Sequence, residues 1–222
     1  MAAARNQVRI IGGEWRSRLI AFAPRDDLRP TPDRVRETLF NWLGQDLTGK
    51  SCLDLFAGSG ALGFEAASRG AQHVVMVERD AVAFKALAEN VAKLGAGAVE
   101  LKRADALEFL RTDRGVYDVV FLDPPFRADC LAQVLPLLVA RLAPDALVHV
   151  ESPAPPALPA GWEIYRSGRD LNLMLSRIAD EQAPMLWHGN HPVWMQAESG
   201  ERCERPVDGA PLEAFCRRVR AL

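Results

Sequence analysis

The chain has 222 residues, of which 49% are hydrophobic and 25% charged, and its formal net charge is −2. These values are ordinary for a soluble globular protein, and the length suits one large α/β domain with small appendages. Four scattered cysteines without a Cys-X-X-Cys spacing exclude a small disulfide-stabilised frame and favour a reducing compartment. No apolar run has the length of a membrane span and the N-terminus lacks a signal-peptide core, so we expect a soluble cytoplasmic protein without membrane contact.

The charge is distributed unevenly. Residues 1–37 contain eight arginines against five acidic residues, which gives this segment a net charge of +3 and the remainder −5. A basic arm of this kind can hold phosphate groups locally, although an ordinary solvated surface is the alternative. Arg34 and Arg36 stand beside Asp33 and Glu37, so ion pairing is a second alternative for these two. The candidates for phosphate contacts are Arg9, Arg16, Arg18, Arg29, Arg34 and Arg36.

The N-terminal part predicts a hairpin followed by a helix. Apolar residues at strand-like intervals on both sides of Gly12-Gly13 predict a hairpin over residues 8–22. A helix is expected to begin at Thr31-Pro32-Asp33, which offers a capping hydroxyl, a proline in the first turn and an acid. The apolar residues of this helix fall on one face: Val35, Leu39, Trp42 and Leu43.

From residue 49 onward, short apolar strands alternate with amphipathic helices, which predicts a parallel sheet with helices on both faces. Two late strands add a closing hairpin, so we expect a Rossmann-like α/β domain over residues 49–179 with seven strands, the last antiparallel. Residues 180–222 lose this periodicity, apart from a possible short basic helix at Pro211–Leu222, and form a C-terminal tail of unknown role. The expected strands are 51–56, 73–78, 99–102, 117–122, 146–150, 162–166 and 171–177.

A glycine-rich turn leaves the first of these strands and enters a helix. Asp54 precedes the turn, and Glu78 ends the second strand, where a carboxylate can accept both ribose hydroxyls of an adenosine. A tight strand-to-helix connection can use the same glycines without a ligand, and Glu78 can simply neighbour a helix cap. Asp105 either meets an adenine amino group or caps the helix that begins at Ala106. The candidate cofactor-binding residues are Asp54, Phe56, Ala57, Gly58, Ser59, Gly60, Glu78, Arg79, Asp105 and Ala106.

The segment Asp123-Pro124-Pro125-Phe126 closes another strand, at the edge of the sheet where open α/β folds bind ligands. The exocyclic amine of a base is a poor nucleophile because its lone pair is delocalised into the ring. Hydrogen bonds to the Asp123 carboxylate and the Pro124 carbonyl would hold the nitrogen and aim its lone pair at a methyl donor. Two prolines fix the backbone, and Phe126 offers a face on which a flipped base can stack. These four residues are the candidate catalytic residues, and a strand-terminating turn with a core phenylalanine is the alternative.

Several segments together are typical of one family. They are Arg9-Ile10-Ile11-Gly12-Gly13, Arg16-Ser17-Arg18, Arg29-Pro30-Thr31-Pro32-Asp33-Arg34-Val35-Arg36-Glu37-Thr38-Leu39-Phe40-Asn41, Asp54-Leu55-Phe56-Ala57-Gly58-Ser59-Gly60 and Asp123-Pro124-Pro125-Phe126. With these segments the chain resembles the RsmD family, bacterial methyltransferases of a guanine N2 in 16S ribosomal RNA, over about residues 9–177. The Asp-Pro-Pro-Phe segment alone would admit any amino-methylating enzyme, and the Arg-Pro-Thr segment narrows the resemblance to this family.

The resemblance implies a Rossmann-like methyltransferase fold with S-adenosylmethionine as methyl donor. It implies 16S rRNA as the partner, in the 30S subunit or an assembly intermediate. Residues 1–48 would then be an RNA-binding extension of a monomeric enzyme, and the tail has no counterpart in the family. We expect no metal site, because the irregular gaps between the tail's histidines and cysteines are unlike a zinc module: His188, His191, Cys203 and Cys216.

Other classes of function stay open at this stage. A DNA-adenine or protein-glutamine methyltransferase uses the same amine geometry, and only the resemblance separates these substrates from rRNA. A nicotinamide dehydrogenase shares the glycine turn but gives no role to Asp-Pro-Pro-Phe. A non-catalytic RNA-binding assembly factor could retain the fold, although an intact set of cofactor and amine-site residues argues against it.

Overall fold

The structure, a computed structural model, describes residues 6–23, 30–124, 130–152, 156–168, 172–177, 185–188, 191–195 and 202–204. The helices are α1 (Asp33–Trp42), α2 (Ala61–Ser68), α3 (Ala81–Leu94), α4 (Ala106–Thr112) and α5 (Cys130–Leu138). The strands are β1 (Asn6–Arg9), β2 (Leu19–Phe22), β3 (Ser51–Asp54), β4 (His73–Val77), β5 (Val99–Lys102), β6 (Tyr117–Leu122), β7 (Leu142–Glu151), β8 (Trp162–Ser167), β9 (Asn172–Arg177), β10 (Met185–His188), β11 (His191–Met195) and β12 (Arg202–Glu204).

Seven strands form the central sheet in the order β5-β4-β3-β6-β7-β9-β8. The pairs from β5 to β7 are parallel, and β9 is antiparallel to both of its neighbours. The predicted Rossmann-like α/β fold with an antiparallel last strand is therefore confirmed. Because β3, β4, β6 and β7 run in the same direction, their last residues meet at one edge, which we call the carboxyl edge; the opposite one is the amino edge.

Strand alternation divides the apolar side chains between two cores. On β6, Phe121 packs into a core with the N-terminal hairpin, α1, α2 and α3. Val120 and Leu122 point to the other face and pack with α4 and α5. Each strand side chain therefore belongs to a definite face of the sheet, and the same alternation orients the residues that follow the strands.

A buried ionic cluster joins the N-terminal hairpin and α1 to α2. The Glu65 carboxylate accepts hydrogen bonds from the backbone N–H groups of Ile11 and Gly12, each at 2.8 Å. It also accepts from Arg36 Nη1 at 3.3 Å and from Arg69 Nε at 2.8 Å. Glu65 and Arg36 have no exposed surface. Removing one partner of such a cluster leaves an uncompensated buried charge, at a cost of about 3–5 kcal/mol.

The first turn of α1 differs from the prediction. The helix begins at Asp33 after Pro32, and no side chain caps it. The prediction that the Thr31 hydroxyl caps this helix was wrong. Thr31 is buried, and its backbone carbonyl accepts from Arg36 Nε at 3.1 Å. The proline supplies the helix entry by fixing its own φ at −56°.

The C-terminal tail contains a second, three-stranded antiparallel sheet in the order β10-β11-β12. Sequence periodicity did not predict it, because the proline, glycine and polar residues of this segment hide the alternation of its short strands. The helix expected at Pro211–Leu222 lies outside the described residues. Within the described part of the chain, no helix is both long and apolar enough to cross a bilayer.

Candidate active site at the carboxyl edge

Three neighbouring strands carry a carboxylate at the carboxyl edge, on the same face of the sheet. Asp54 ends β3, Asp123 follows the last residue of β6, and Glu151 ends β7. Leu122 of β6 pairs with Val150 of β7. Asp123 and Glu151, which each follow one of these residues, therefore lie side by side at the ends of neighbouring strands. Alternation turns all three acids toward the face that α1 and α2 cover.

These carboxylates are held in an environment that disfavours their charged form. Burial raises the pKa of Asp123 to about 7, with further contributions from the nearby charges of Glu151 and Asp54. Burial likewise raises the pKa of Asp54 to about 7, although the hydrogen bond from Gly63 N, at 3.0 Å, opposes the shift. Burial also raises the pKa of Glu151. Across the described ranges no lysine or arginine pairs with any of the three, so the edge has a negative potential that suits a cationic ligand.

The glycine turn between β3 and α2 is fixed to the end of β4 through Glu78. The Glu78 carboxylate accepts from Gly58 N at 2.9 Å and from Asp80 N at 2.7 Å. Gly58 has a φ of +50°, a conformation that glycine adopts without strain. Glu78 is partly exposed, so it keeps surface for a further donor while the two backbone groups orient it.

The second glycine of the turn serves packing. Gly60 has a φ of +80°, and a Cβ added there would lie 2.6 Å from Leu87 Cδ2 and 2.7 Å from Phe64. The turn is therefore pressed against α2 and α3. Among the other candidate residues at this turn, Phe56 is half-buried, and Ala57 and Ser59 are buried.

The two remaining strand ends carry Arg79 and Asp105. Arg79 is exposed beside Glu78. Asp105 caps α4, since its Oδ1 accepts from Leu107 N at 2.9 Å and from Glu108 N at 3.3 Å. The capping alternative for Asp105 is thereby confirmed, and contact with an adenine stays a prediction. Ala106, the first residue of α4, is buried.

The predicted catalytic segment is described only in part. Asp123 is partly exposed and Pro124 is buried directly after β6. Pro125 and Phe126 lie outside the described residues. The two groups expected to bind an amine, the Asp123 carboxylate and the Pro124 carbonyl, therefore belong to adjacent residues at the strand end.

The candidate arginines do not form one surface. The prediction that Arg36 contacts phosphate was wrong. Its guanidinium is fully buried against Glu65, Asp33 and the Arg9 carbonyl. The exposed Arg9 forms an ion pair with Asp33 at 2.8 Å. Arg29 lies outside the described residues.

Arg16 and Arg18 lie at the amino edge, away from the candidate site. Arg18 Nη2 donates to the Lys93 carbonyl at 3.1 Å, in the last turn of α3. The neighbouring Glu14 N donates to the carbonyl of Ser68, the last residue of α2, at 2.7 Å. Both helices begin after strand ends at the carboxyl edge and finish at the opposite one.

Arg34 lies closer to the candidate site. Two contacts give the direction of α1. In its first half, Arg36 contacts Glu65 in the middle of α2, and just after its end the Gln45 carbonyl accepts from Arg69, at the end of α2. The helix α1 therefore runs alongside α2 from the carboxyl edge toward the amino edge. Arg34, exposed in the first turn of α1, lies at the end nearer the carboxylates.

Sequence reasoning missed Glu151 and Glu65. Glu151 had an available signal, because it follows an apolar strand directly, as Asp123 does. Glu65 had none, since a single acid in a helix ordinarily faces solvent.

A family model described as "Conserved hypothetical protein 95" matches residues 8–175. The Ribosomal RNA small subunit methyltransferase D of Escherichia coli (strain K12) is 44% identical over 165 residues, which cover 72% of this chain and 83% of that relative. The relative of the same name from Haemophilus influenzae is 41% identical over 171 residues, covering 73% and 89% of the two chains. The chain belongs to the RsmD family.

A solved structure agrees with this assignment. The Escherichia coli protein yhhF, described as a methyltransferase, matches with a TM-score of 0.70 and 43% identity over 79% of this chain and all of that one. The RsmD-family match ends at residue 175, within β9, so the whole tail lies beyond it. A second model, "Domain of unknown function (DUF8659)", matches residues 158–222.

Proposed function

We propose that this RsmD-family protein transfers a methyl group from S-adenosylmethionine to the exocyclic N2 amine of a guanine in 16S rRNA. The names of two relatives above 40% identity support a small-subunit rRNA substrate. The observation that carries the proposal is Asp123 followed by Pro124 at the end of β6, beside two further carboxylates. We expect the enzyme to act on the 30S particle or an assembly intermediate, which lie in the cytoplasm. We also expect it to be a monomer.

The chain offers two acceptors for the two N–H bonds of an amine. The Asp123 carboxylate accepts one and the Pro124 carbonyl accepts the other, which fixes the nitrogen and favours a pyramidal geometry. Pro124 has no N–H of its own, so no donor competes at this residue. Phe126, which follows, supplies an aromatic face for the base.

The charges at the carboxyl edge fit the proposed cofactor. S-adenosylmethionine supplies, when bound, a methyl group on a positively charged sulfur, which becomes a neutral thioether once the nitrogen lone pair has formed the N–C bond. Asp54 and Asp123 lack a cationic partner in the described part of the chain, and a cationic cofactor would compensate them. Glu78 would accept the ribose hydroxyls through its exposed surface, Gly58 would let the backbone approach, and Asp105 would lie near the adenine.

Asp123 also has a suitable pKa for the proton that the methylated nitrogen loses. Once the methyl group has been transferred and the sulfonium charge is gone, a carboxylate whose pKa is about 7 in the free protein accepts a proton near neutral pH and passes it to water. An ordinary exposed aspartate, with a pKa near 4, is a weaker base.

A labelled-methyl assay tests the proposal directly. Wild-type protein is incubated with labelled S-adenosylmethionine and, separately, free 16S rRNA, 30S particles, DNA and a protein mixture. We expect label in 16S rRNA, recovered after nuclease digestion as N2-methylguanosine. Label in DNA adenine or in protein glutamine would contradict the proposed substrate, and no label in any acceptor would favour a non-catalytic assembly factor.

A further inference from the structure

We propose that Glu151 selects guanine, its carboxylate accepting the N1–H of the target base while Asp123 and Pro124 hold the N2 amine. This inference rests on the proposed function and deepens it, because it assigns a residue to the choice of base. Glu151 is then a specificity-determining residue that touches the substrate.

Strand pairing puts Glu151 in reach of the base. Neighbouring strands lie about 4.8 Å apart. Asp123 and Glu151 stand one residue beyond the register pair Leu122 and Val150. Alternation from Phe121 and His149, whose rings contact each other on one face, turns both acids to that same face. Two carboxylates therefore stand side by side where an amine is expected to bind.

The chemistry of the bases gives the pair its selectivity. In guanine, N1–H and the N2 amine are attached to the same ring carbon, so adjacent donors point in one direction. Two adjacent acceptors match that pattern. In adenine and cytosine, the ring nitrogen beside the exocyclic amine is an acceptor. A carboxylate facing that nitrogen would be repelled and left without its donor, which is how a polar site rejects an analogue strongly.

No other role for Glu151 is apparent in the described part of the chain. Its side chain is partly buried and makes no hydrogen bond or ion pair with the residues described. Asp123 and Asp54 are the charged groups on the same face, and Asn172 of β9 is its backbone partner on the other side. Three carboxylates that are wholly or partly buried beside one another destabilise the fold, so a ligand that donates hydrogen bonds explains the place of Glu151.

The test compares guanine with 2-aminopurine, which keeps the 2-amino group but has an acceptor at N1. Ligated 16S rRNA carrying either base at the methylated position is assembled into 30S particles. For wild type we expect kcat/KM to be lower by about 10²-fold or more with 2-aminopurine. In Glu151→Gln the amide can donate to N1, so we expect guanine methylation to fall and the discrimination to shrink to about 10-fold or less.

The control variant is Glu163→Gln, which removes a carboxylate near the start of β8 that accepts from Ser176 Oγ at 3.0 Å. It should keep wild-type discrimination and wild-type affinity for S-adenosylmethionine, and Glu151→Gln should still bind S-adenosylmethionine. Equal discrimination in wild type and Glu151→Gln would overturn the role of Glu151 while N2-methylguanosine formation still supports the proposed function. Wild type that forms no N2-methylguanosine with the guanine substrate would overturn both.

Discussion

A buried carboxylate without a cation is costly, and Asp54 and Asp123 bear this cost at the carboxyl edge. With pKa values of about 7, each carboxyl is partly protonated at neutral pH in the free protein. A bound cation favours the ionised form and lowers both pKa values. Cofactor binding is therefore linked to proton release.

We predict that S-adenosylmethionine binding at pH 7 releases up to about one proton. Titration calorimetry in two buffers with different ionisation enthalpies measures this number. At pH 9 the release should vanish, because both carboxyls are already ionised there. S-adenosylhomocysteine, which lacks the sulfonium charge, should release fewer protons. Equal release by the two ligands, or proton uptake, would contradict the proposed compensation of charge.

The N-terminal hairpin is attached to the end of α2 by very close backbone contacts. Gly13 has a φ of +74°, and a Cβ added there would lie 1.8 Å from the Ser68 carbonyl oxygen. The adjacent Trp15 N donates to Ser68 Oγ at 2.9 Å. A side chain at residue 13 would push the hairpin away from α2 and expose the apolar core between them.

We predict that Gly13→Ala lowers the free energy of unfolding by about 3 kcal/mol or more, because strain at positive φ adds to a steric clash. Gly44→Ala is the matched control, since Gly44 has a φ of +91° with no atom within 4 Å of the added Cβ. That control should cost only about 1–2 kcal/mol. Chemical denaturation of both variants measures the difference, and equal losses would show that the hairpin contact is not tight.

Most elements of the sheet were predictable because strand and helix periods alternate clearly. The strands 99–102 and 117–122 have the predicted bounds. Strand β7 begins four residues before its predicted start, because Leu142–Asp145 includes a proline and an acid that interrupt the apolar pattern. The position of Arg36 was not predictable, since its burial depends on Glu65, 29 residues away in sequence.

The basic N-terminal segment extends over both edges of the sheet. Arg34 lies toward the carboxyl edge, whereas Arg16 and Arg18 lie at the amino edge. We therefore expect Arg34, rather than Arg16 and Arg18, to contact an RNA whose base lies beside Asp123.

We predict that Arg34→Ala weakens RNA binding and lowers the log–log salt slope by about 0.7–0.9, the value for one lost phosphate contact. Arg16→Ala/Arg18→Ala should leave the slope unchanged, because these residues face away from the site. RNA-binding titrations at several salt concentrations measure both slopes. A flatter slope in the double variant alone would move the RNA surface to the amino edge.

The role proposed for Asp123 is to hold the amine that is methylated. The most direct test measures methyl incorporation into 30S particles by wild type and Asp123→Ala, alongside the dissociation constant for S-adenosylmethionine. We predict a loss of about 10²-fold or more in methylation, because a positioned acceptor is removed, and a much smaller loss of cofactor affinity, because Asp54 remains to compensate the sulfonium charge. Asp145→Asn, which alters an exposed acid on β7, should behave as wild type. Retained turnover in Asp123→Ala would contradict the account.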